Sequence, residues 1–567
     1  MKDFLTKNYK LIIIVLLLTY TILASTSIIN KSVTYDEITY VSSGYRIVKL
    51  HDYRLNTEHP PLAKILAGLP LLLINPNIPD YNEDQWTYAH KFFFESGNDA
   101  DKMLFLARIP FILIGILLGI YVFYFSKELF GVKAGLLSLF LYSLCPNIIA
   151  YSQLAITDFL VIAFLFNSSY YLYKYLNNKD TGSYFLCALY YGLALTSKFT
   201  ALYLLPFFFI LPFYHEVKSL EMLKKKVFLK SMFHQLIKMA AILSMAFFIL
   251  VLSYMFRLEF YIDGLLKMIG SSSYGRFSYL LGKNYVGNNF LYYPVAFLVK
   301  TPFPLIIFVS YLLFKKREKK DGYLLLPVLL FLVPTFLNRI NLGLRHILII
   351  YPFLQVYSGK IANIKFDKKA IIVLTLVWYL LSSFLNYPHY LSYFNEVSGG
   401  PDNGYKYLLD SNIDWGQDAK PLAQYIKKEG ITNISIFYFG NDDFQYRGIN
   451  YSNVNCVPVK GVAAISVNYL IGLKESDAAC NKWLREESPY KKIGHTIWLY
   501  NITRNYTQQD IESNLKQYKE ALARDTDRML QYFIGQCNSM CESNCKKNKE
   551  IYWTSKMSEG KCICTCR

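Results

Sequence analysis

Before Cys456 the chain holds only two cysteines, Cys145 and Cys187, both inside apolar stretches where a small core residue is the ordinary reading. No glycine-rich phosphate loop appears, and no His, Asp or Glu cluster stands at metal-ligand spacing. No basic face is interleaved with stacking aromatics in a recognisable nucleic-acid fold. These absences argue against P-loop nucleotide chemistry, nucleic-acid binding and a required metal, and no other cofactor is expected. Nor does any later segment repeat the region around Asp36, which counts against the internal symmetry common in transporters.

What is present is apolar. Hydrophobic residues make up 53% of the 567 and aromatics 17%, with a formal charge of +19, a composition ordinary for a polytopic membrane protein. The run Leu11–Ile29 is long enough to cross a bilayer core of roughly 30 Å. It lacks a clear small-residue cleavage site, so a retained helix is favoured over a signal peptide. Further spans are predicted at Leu104–Phe125, Ala134–Ala150, Phe159–Tyr175, Tyr184–Ser197, Thr200–Phe213, Lys238–Phe256, Phe290–Phe314, Tyr323–Leu337, Arg345–Gly359 and Ala370–Tyr387, about eleven crossings in all. Pro61–Ile74 is too short to cross and reads as a helix on the outer surface.

Every second loop is basic, with Lys127 and Lys133, Lys174 and Lys179, Lys224 to Lys230, Lys315 to Lys320, and Lys365 to Lys369. Lysines in short loops stay cytoplasmic. The N-terminus, with Lys2, Lys7 and Lys10, is therefore expected inside a plasma (inner) membrane, and the Asp36 loop outside. An odd count of spans leaves everything after Tyr387 external or periplasmic. There, short Ile-, Val- and Tyr-rich runs at Ile431–Phe439, Val459–Ile471 and Ile493–Ile502 alternate with polar helices near Gln417–Lys428 and Ser476–Glu486, the pattern of a small α/β domain. The organisation read from sequence is a transmembrane catalytic domain over 1–387, an external α/β domain over 388–503, and a polar helix with a cysteine-rich module over 504–567.

Asp36 and Glu37 place paired carboxylates at the membrane surface, where ionisable groups are functional candidates by default. The outer ends of the spans also collect His59, Arg108, Asp158, Lys198, Arg257, Arg276, Lys300, Arg339, Arg345 and His346. One chemistry that needs both signs together is transfer of a sugar from a lipid phosphate to a hydroxyl. A carboxylate takes the acceptor proton, and cations stabilise the departing phosphate. A transporter or flippase of a lipid-linked molecule is the alternative.

Tyr35-Asp36-Glu37, His59-Pro60-Pro61-Leu62 and Thr157-Asp158 resemble the family of protein O-mannosyltransferases and the lipid A aminoarabinose transferase, polytopic GT-C glycosyltransferases that use polyprenyl- or dolichyl-phosphate sugars. Tyr293-Pro294-Val295-Ala296-Phe297 with Lys300-Thr301-Pro302, Asn341-Leu342-Gly343-Leu344-Arg345-His346, and the string from Asp410 to Asp418 are similar to its bacterial and archaeal members. The Trp-Trp-Asp signature of an oligosaccharyltransferase is absent. The resemblance implies a GT-C fold and an inverting, mannosyltransferase-like enzyme moving a sugar from a lipid-phosphate donor to a protein, lipid or glycan hydroxyl. It implies Asp36 as base, with Glu37 and Asp158 on the acceptor side. Arg345 and His346 meet the donor phosphate; His59 stands where the aminoarabinose enzymes have Lys. Lys198, Arg108 and Arg339 are further candidates for that phosphate, with snorkelling to lipid headgroups as the competing role. Asp410, Asp414 and Asp418 invite a calcium reading, against which a solvated helix entry is favoured.

In the tail, Cys537, Cys541 and Cys545 recur every fourth residue and Cys562, Cys564 and Cys566 every second, so a helix ladder and a strand ladder match in pitch. This resembles the cysteine-stabilised αβ motif, which implies pairs Cys537–Cys562, Cys541–Cys564 and Cys545–Cys566; a zinc site is the rival reading.

Overall fold

The computed structural model describes every residue except 1, 82, 218–224, 274, 365–368, 455, 486, 548–551, 559–560 and 567. The predicted inner-loop lysines Lys224, Lys365 and Lys368 therefore lie outside the described residues.

The chain is an integral membrane protein. Among the described residues, four helices are long and apolar enough to cross a bilayer alone: Tyr9–Ser27, Ala100–Phe130, Phe233–Ser253 and Lys319–Leu337. On the first of them Leu11, Ile14, Val15, Leu18 and Ile22 are all more than half exposed, an apolar face suited to lipid. Two bent pairs, Val132–Ser143 with Pro146–Ser152 (63°) and Tyr292–Lys300 with Phe303–Leu313 (115°), bring the candidates to six, against the eleven expected. The bends have a local cause. Cys145 and Thr301 each precede a proline and take extended backbone, ψ 114° and 133°, which ends one helix and starts the next at a new angle. The helix Thr157–Asn178 is buried along most of its length and carries Asn167, Ser168 and Ser169 inside the protein. Its neighbours are protein, so it needs no lipid-compatible composition. The apolar stretches Phe199–His215 and Ala370–Phe384 are shorter than a full crossing.

After the first helix the chain turns at Asp36 into a buried helix, Glu37–Leu50, followed by Leu62–Gly68 and a 3-10 turn, Leu69–Leu73. Gly44 and Gly68 let the two helices touch through their backbones. A Cβ on Gly44 would lie 1.9 Å from the Lys64 carbonyl oxygen. Leu69, Leu72 and Leu73 remain exposed, as expected of a helix resting on a membrane surface.

Beyond Tyr387 a five-stranded mixed sheet forms, in spatial order Ser452–Asn453, Ile434–Phe437, Gly461–Ser466, Ile497–Ile502 and Lys491–Ile493. The first three strands are parallel, while Ile497–Ile502 runs antiparallel to both its neighbours. The helix Ala419–Lys428 covers one face through Leu422, Ala423 and Ile426. A disulfide joins Cys456 to Cys480. The polar helix runs over Gln508–Lys547 and packs against an antiparallel hairpin, Tyr552–Ser558 with Lys561–Cys566. Cys537, Cys541 and Cys545 are buried and disulfide-bonded. The side chains of Cys562, Cys564 and Cys566, expected as their partners, lie outside the described residues.

Candidate active site

The acidic pair of the first loop is split by folding. Glu37 is fully buried. One of its oxygens accepts from Arg108 Nε (2.9 Å) and the Ala155 amide (2.8 Å), the other from Arg108 Nη2 (2.6 Å) and from the Thr34 amide and hydroxyl (both 2.9 Å). Both oxygens are thus committed to the protein, and Arg108, itself 1% exposed, also donates to the Ser32 carbonyl. Glu37, expected in the chemistry, is instead the pin that fixes the loop against Ala100–Phe130 and the turn at Ala155. The snorkelling alternative for Arg108 is corrected on the same ground. Breaking a buried pair leaves an uncompensated charge, so Glu37→Ala is expected to cost about 3–5 kcal/mol. A thermal unfolding scan in detergent reads this, and an unchanged melting temperature rejects the role.

Asp36, one residue earlier, points the other way. It precedes the first turn of Glu37–Leu50, and its carboxylate is a quarter exposed (26%), accepting from Arg345 Nη1 at 3.0 Å. The same Arg345 nitrogen stands 3.9 Å from Asp158 Oδ2, and the other Asp158 oxygen accepts from Lys198 Nζ at 2.6 Å. Two carboxylates and two cations therefore alternate: Asp36, Arg345, Asp158, Lys198. On the Asp158 side opens a narrow pocket lined by Asp158, Lys198, Tyr203, Asn338, Arg345 and His346 among others, but not by Asp36.

The sequence elements that hold this row are specific. Leu62 donates its amide to the Thr196 carbonyl (3.0 Å), which sets the His59-Pro60-Pro61 loop beside Lys198. Gly343, at φ 134°, lets the Arg345 turn pass Ser411, whose hydroxyl would be 2.7 Å from any Cβ there. Ser411 Oγ donates to Leu342 O (2.5 Å), and Leu344 N donates to Asn412 Oδ1 (2.9 Å). Trp415 lies under the Arg345 guanidinium, 4.3 Å from its ring centre, and its carbonyl accepts from the Tyr35 amide (2.9 Å). The segment 410–418 thus fastens both the loop of Asp36 and the loop of Arg345.

Both imidazoles beside the row are neutral. Burial, and then Lys198, pushes His59 down to about 3; burial with Lys198 and Arg345 holds His346 well below the ordinary histidine range. Arg345 Nε, His346 Nε2 and His59 Nδ1 are buried without a hydrogen-bond partner among the described residues. Buried polar atoms are nearly always satisfied, so these nitrogens fit an anionic group with several acceptor oxygens.

Arg339 does not join them; it is exposed, on the side facing Tyr532. Arg257 binds the His51 carbonyl, and Lys300 is buried against the carbonyls of Leu391 and Asn412. The solvated helix entry expected at Asp410, Asp414 and Asp418 is absent. Asp418 is fully buried and paired with Lys31 at 2.5 Å, and Asp414 is fully buried with its acid pushed up by desolvation. Asp410, held at φ 60°, faces Arg345 and Asp36; burial raises its acid against the pull of Arg345. Trp415 was legible only as part of a similar string, Asp410 also through the aspartate spacing, and Tyr203 and Asn338 carried no signal. Among the described residues no group of three or more His, Cys, Asp or Glu is placed to hold a metal ion.

Residues 100–244 match the family of dolichyl-phosphate-mannose-protein mannosyltransferases. No curated protein matches the chain in sequence. Among solved structures it is similar to the Saccharomyces cerevisiae protein O-mannosyltransferase Pmt1-Pmt2 complex bound to the sugar donor, at 18% identity over 46% of this chain and 34% of that one, TM-score 0.34. It thus spans about a third of the yeast chain's length. It is also similar to ArnT from Cupriavidus metallidurans bound to undecaprenyl phosphate, at 11% identity over 88% of this chain and 98% of that one, TM-score 0.45. The oligosaccharyltransferase of Archaeoglobus fulgidus in the apo form is similar at 10% identity over 84% and 72% of the two chains, TM-score 0.46.

Proposed function

We propose that this GT-C membrane glycosyltransferase, dependent on a polyprenyl-phosphate sugar, transfers that sugar with inversion to a hydroxyl acceptor at the outer membrane face. The observation that carries the reading is the position of Arg345, in contact with Asp36 on one side and lining a pocket with Lys198 on the other. Asp36 takes the proton of the acceptor hydroxyl as its oxygen bonds to the anomeric carbon. The bond from that carbon to the phosphate oxygen breaks, and the polyprenyl phosphate leaves with the electron pair. Arg345 and Lys198 stabilise the charge that builds on it, and the neutral His346 and His59 each offer one N–H. Asp158 holds Lys198 and Arg345 in place. Mannose is the sugar the family match favours.

The disulfide Cys456–Cys480 and the bonded Cys537, Cys541 and Cys545 support an oxidising compartment for everything after Tyr387. With the alternating basic loops read as internal, this supports a cytoplasmic N-terminus and an external Asp36 loop, where protein, lipid or glycan hydroxyls are the acceptors.

The test is reconstitution in liposomes with polyprenyl-phosphate mannose and, separately, other polyprenyl-phosphate sugars, with extracted envelope fractions as acceptor and mass spectrometry of both products. Release of polyprenyl phosphate matched by a hexose gained on the acceptor supports the reading. Movement of an intact lipid-linked sugar across the bilayer without transfer replaces it with a flippase.

A further inference from the structure

The helix Gln508–Lys547 spans about 60 Å at 1.5 Å per residue, and its inward stripe can be followed along the protein. Asn514 donates to the carbonyls of Cys456 (2.8 Å) and Cys480 (3.1 Å), at the disulfide. Ala521 is fully buried. Asp525 accepts from the amides of Glu475 (3.3 Å) and Ser476 (2.8 Å), capping the helix Glu475–Cys480, while Arg524 and Arg528 both bind Glu475 at 2.7 Å. Met529 and then Tyr532 continue the stripe.

Tyr532 rests on the two feet of a hairpin in the middle of the chain, Phe277–Leu280 paired with Lys283–Val286. Its ring fills the space where Gly275 and Gly287 lack a side chain: a Cβ would lie 2.6 Å from the ring at Gly275 and 2.3 Å at Gly287. The Gly287 amide donates to the Arg276 carbonyl (3.2 Å) and closes the feet. At its other edge the hairpin grips the active-site loops. Ser278 Oγ donates to the Asn341 carbonyl (2.8 Å), Asn341 Nδ2 donates to Tyr285 Oη (3.1 Å), and Leu281 N donates to the Tyr407 carbonyl (2.9 Å). Asn341 begins the turn that carries Arg345, and Leu408, bridged to Leu280, lies just before Asp410.

We infer that Tyr532 is a positioning residue for sugar transfer: it clamps the hairpin Phe277–Val286 and so holds the Arg345 loop against Asp36. The appended C-terminal helix is thereby a brace for the active site. The inference rests on the role proposed for Arg345. Tyr532 Oη is buried without a hydrogen-bond partner among the described residues, so the ring alone does the clamping.

Full-length protein in liposomes, wild type and variants, is compared by hydrogen–deuterium exchange of peptides covering 276–287 and 339–346, by melting temperature, and by kcat for transfer from polyprenyl-phosphate mannose. Tyr532→Ala is expected to speed exchange in both segments and lower kcat up to about a hundredfold, the scale of a catalytic group misplaced by about 1 Å. Tyr532→Phe is expected to match wild type in all readouts. Gly287→Ala, which drives a methyl into the ring, is expected to reproduce the Tyr532→Ala exchange pattern and serves if that variant fails to fold. Unchanged exchange at 276–287 in Tyr532→Ala or Gly287→Ala overturns the clamp. Faster exchange with unchanged kcat overturns the positioning role. If wild type itself transfers no sugar, the transferase reading fails, and the exchange comparison still decides whether Tyr532 holds the hairpin.

Discussion

Asp36→Asn is expected to lower the rate of sugar transfer about 10³-fold, the middle of the range for removing a general base, while binding of undecaprenyl phosphate stays within about twofold, because the phosphate is held by other groups. Asparagine preserves the shape of the side chain and still accepts the hydrogen bond from Arg345 Nη1, so the alternating row keeps its geometry. What disappears is the basic oxygen facing the open side of the site, where Asp36 remains 26% exposed. Radiolabelled sugar transfer and a separate lipid-phosphate binding assay on the same preparation read the two effects. A variant retaining a tenth or more of the wild-type rate removes Asp36 from the role of base. Loss of binding in parallel assigns it to holding the row together instead.

The sequence brought out the residues of this site by chemistry and outer placement, and the fold gathers Asp36, His59, Asp158, Lys198, Arg345 and His346 into one place. It could not say how they pair. Arg345 and Asp36 are 309 positions apart, and no local periodicity encodes a contact of that range. Adjacent acids read alike in sequence, yet the onset of the helix Glu37–Leu50 turns Glu37 into the core and leaves Asp36 at the rim. Apolar runs located the membrane helices, but the prolines after Cys145 and Thr301 bend two of them, and a run cannot report its own angle. The aspartates from 410 to 418 follow a helical spacing that tertiary contacts override. Between them the carbonyls of Trp415 and Gln417 accept from the first-loop amides of Tyr35 and Ser32, and the side chains of Ser411 and Asn412 bond the Arg345 turn, so no regular helix begins until Ala419. The two ladders of cysteine were visible because pitch is a local property, and the bonded state of Cys537, Cys541 and Cys545 agrees with that helix ladder.

Arg345→Ala is expected to lower transfer by about 10²- to 10³-fold, the loss seen when one preorganised donor to a developing oxyanion is removed. Unlike Asp36→Asn, it is also expected to weaken undecaprenyl phosphate binding at least tenfold, since a hydrogen bond to a charged group contributes about 1.5–3 kcal/mol. Arg345→Lys separates charge from shape. The guanidinium now lies 4.3 Å over Trp415, reaches Asp36 at 3.0 Å, and keeps Nε unpaired within the buried site. A lysine ammonium is a single point that cannot stack on the indole while bonding Asp36 and a phosphate oxygen together. Lysine should therefore recover less than about a tenth of the wild-type rate, although it restores the formal charge. The crossed pattern is the decisive one, with binding kept and turnover lost at Asp36, and both lost at Arg345. Arg345→Lys at the wild-type rate would mean that charge alone suffices, and Arg345→Ala binding the lipid phosphate normally would move the phosphate site away from this pocket.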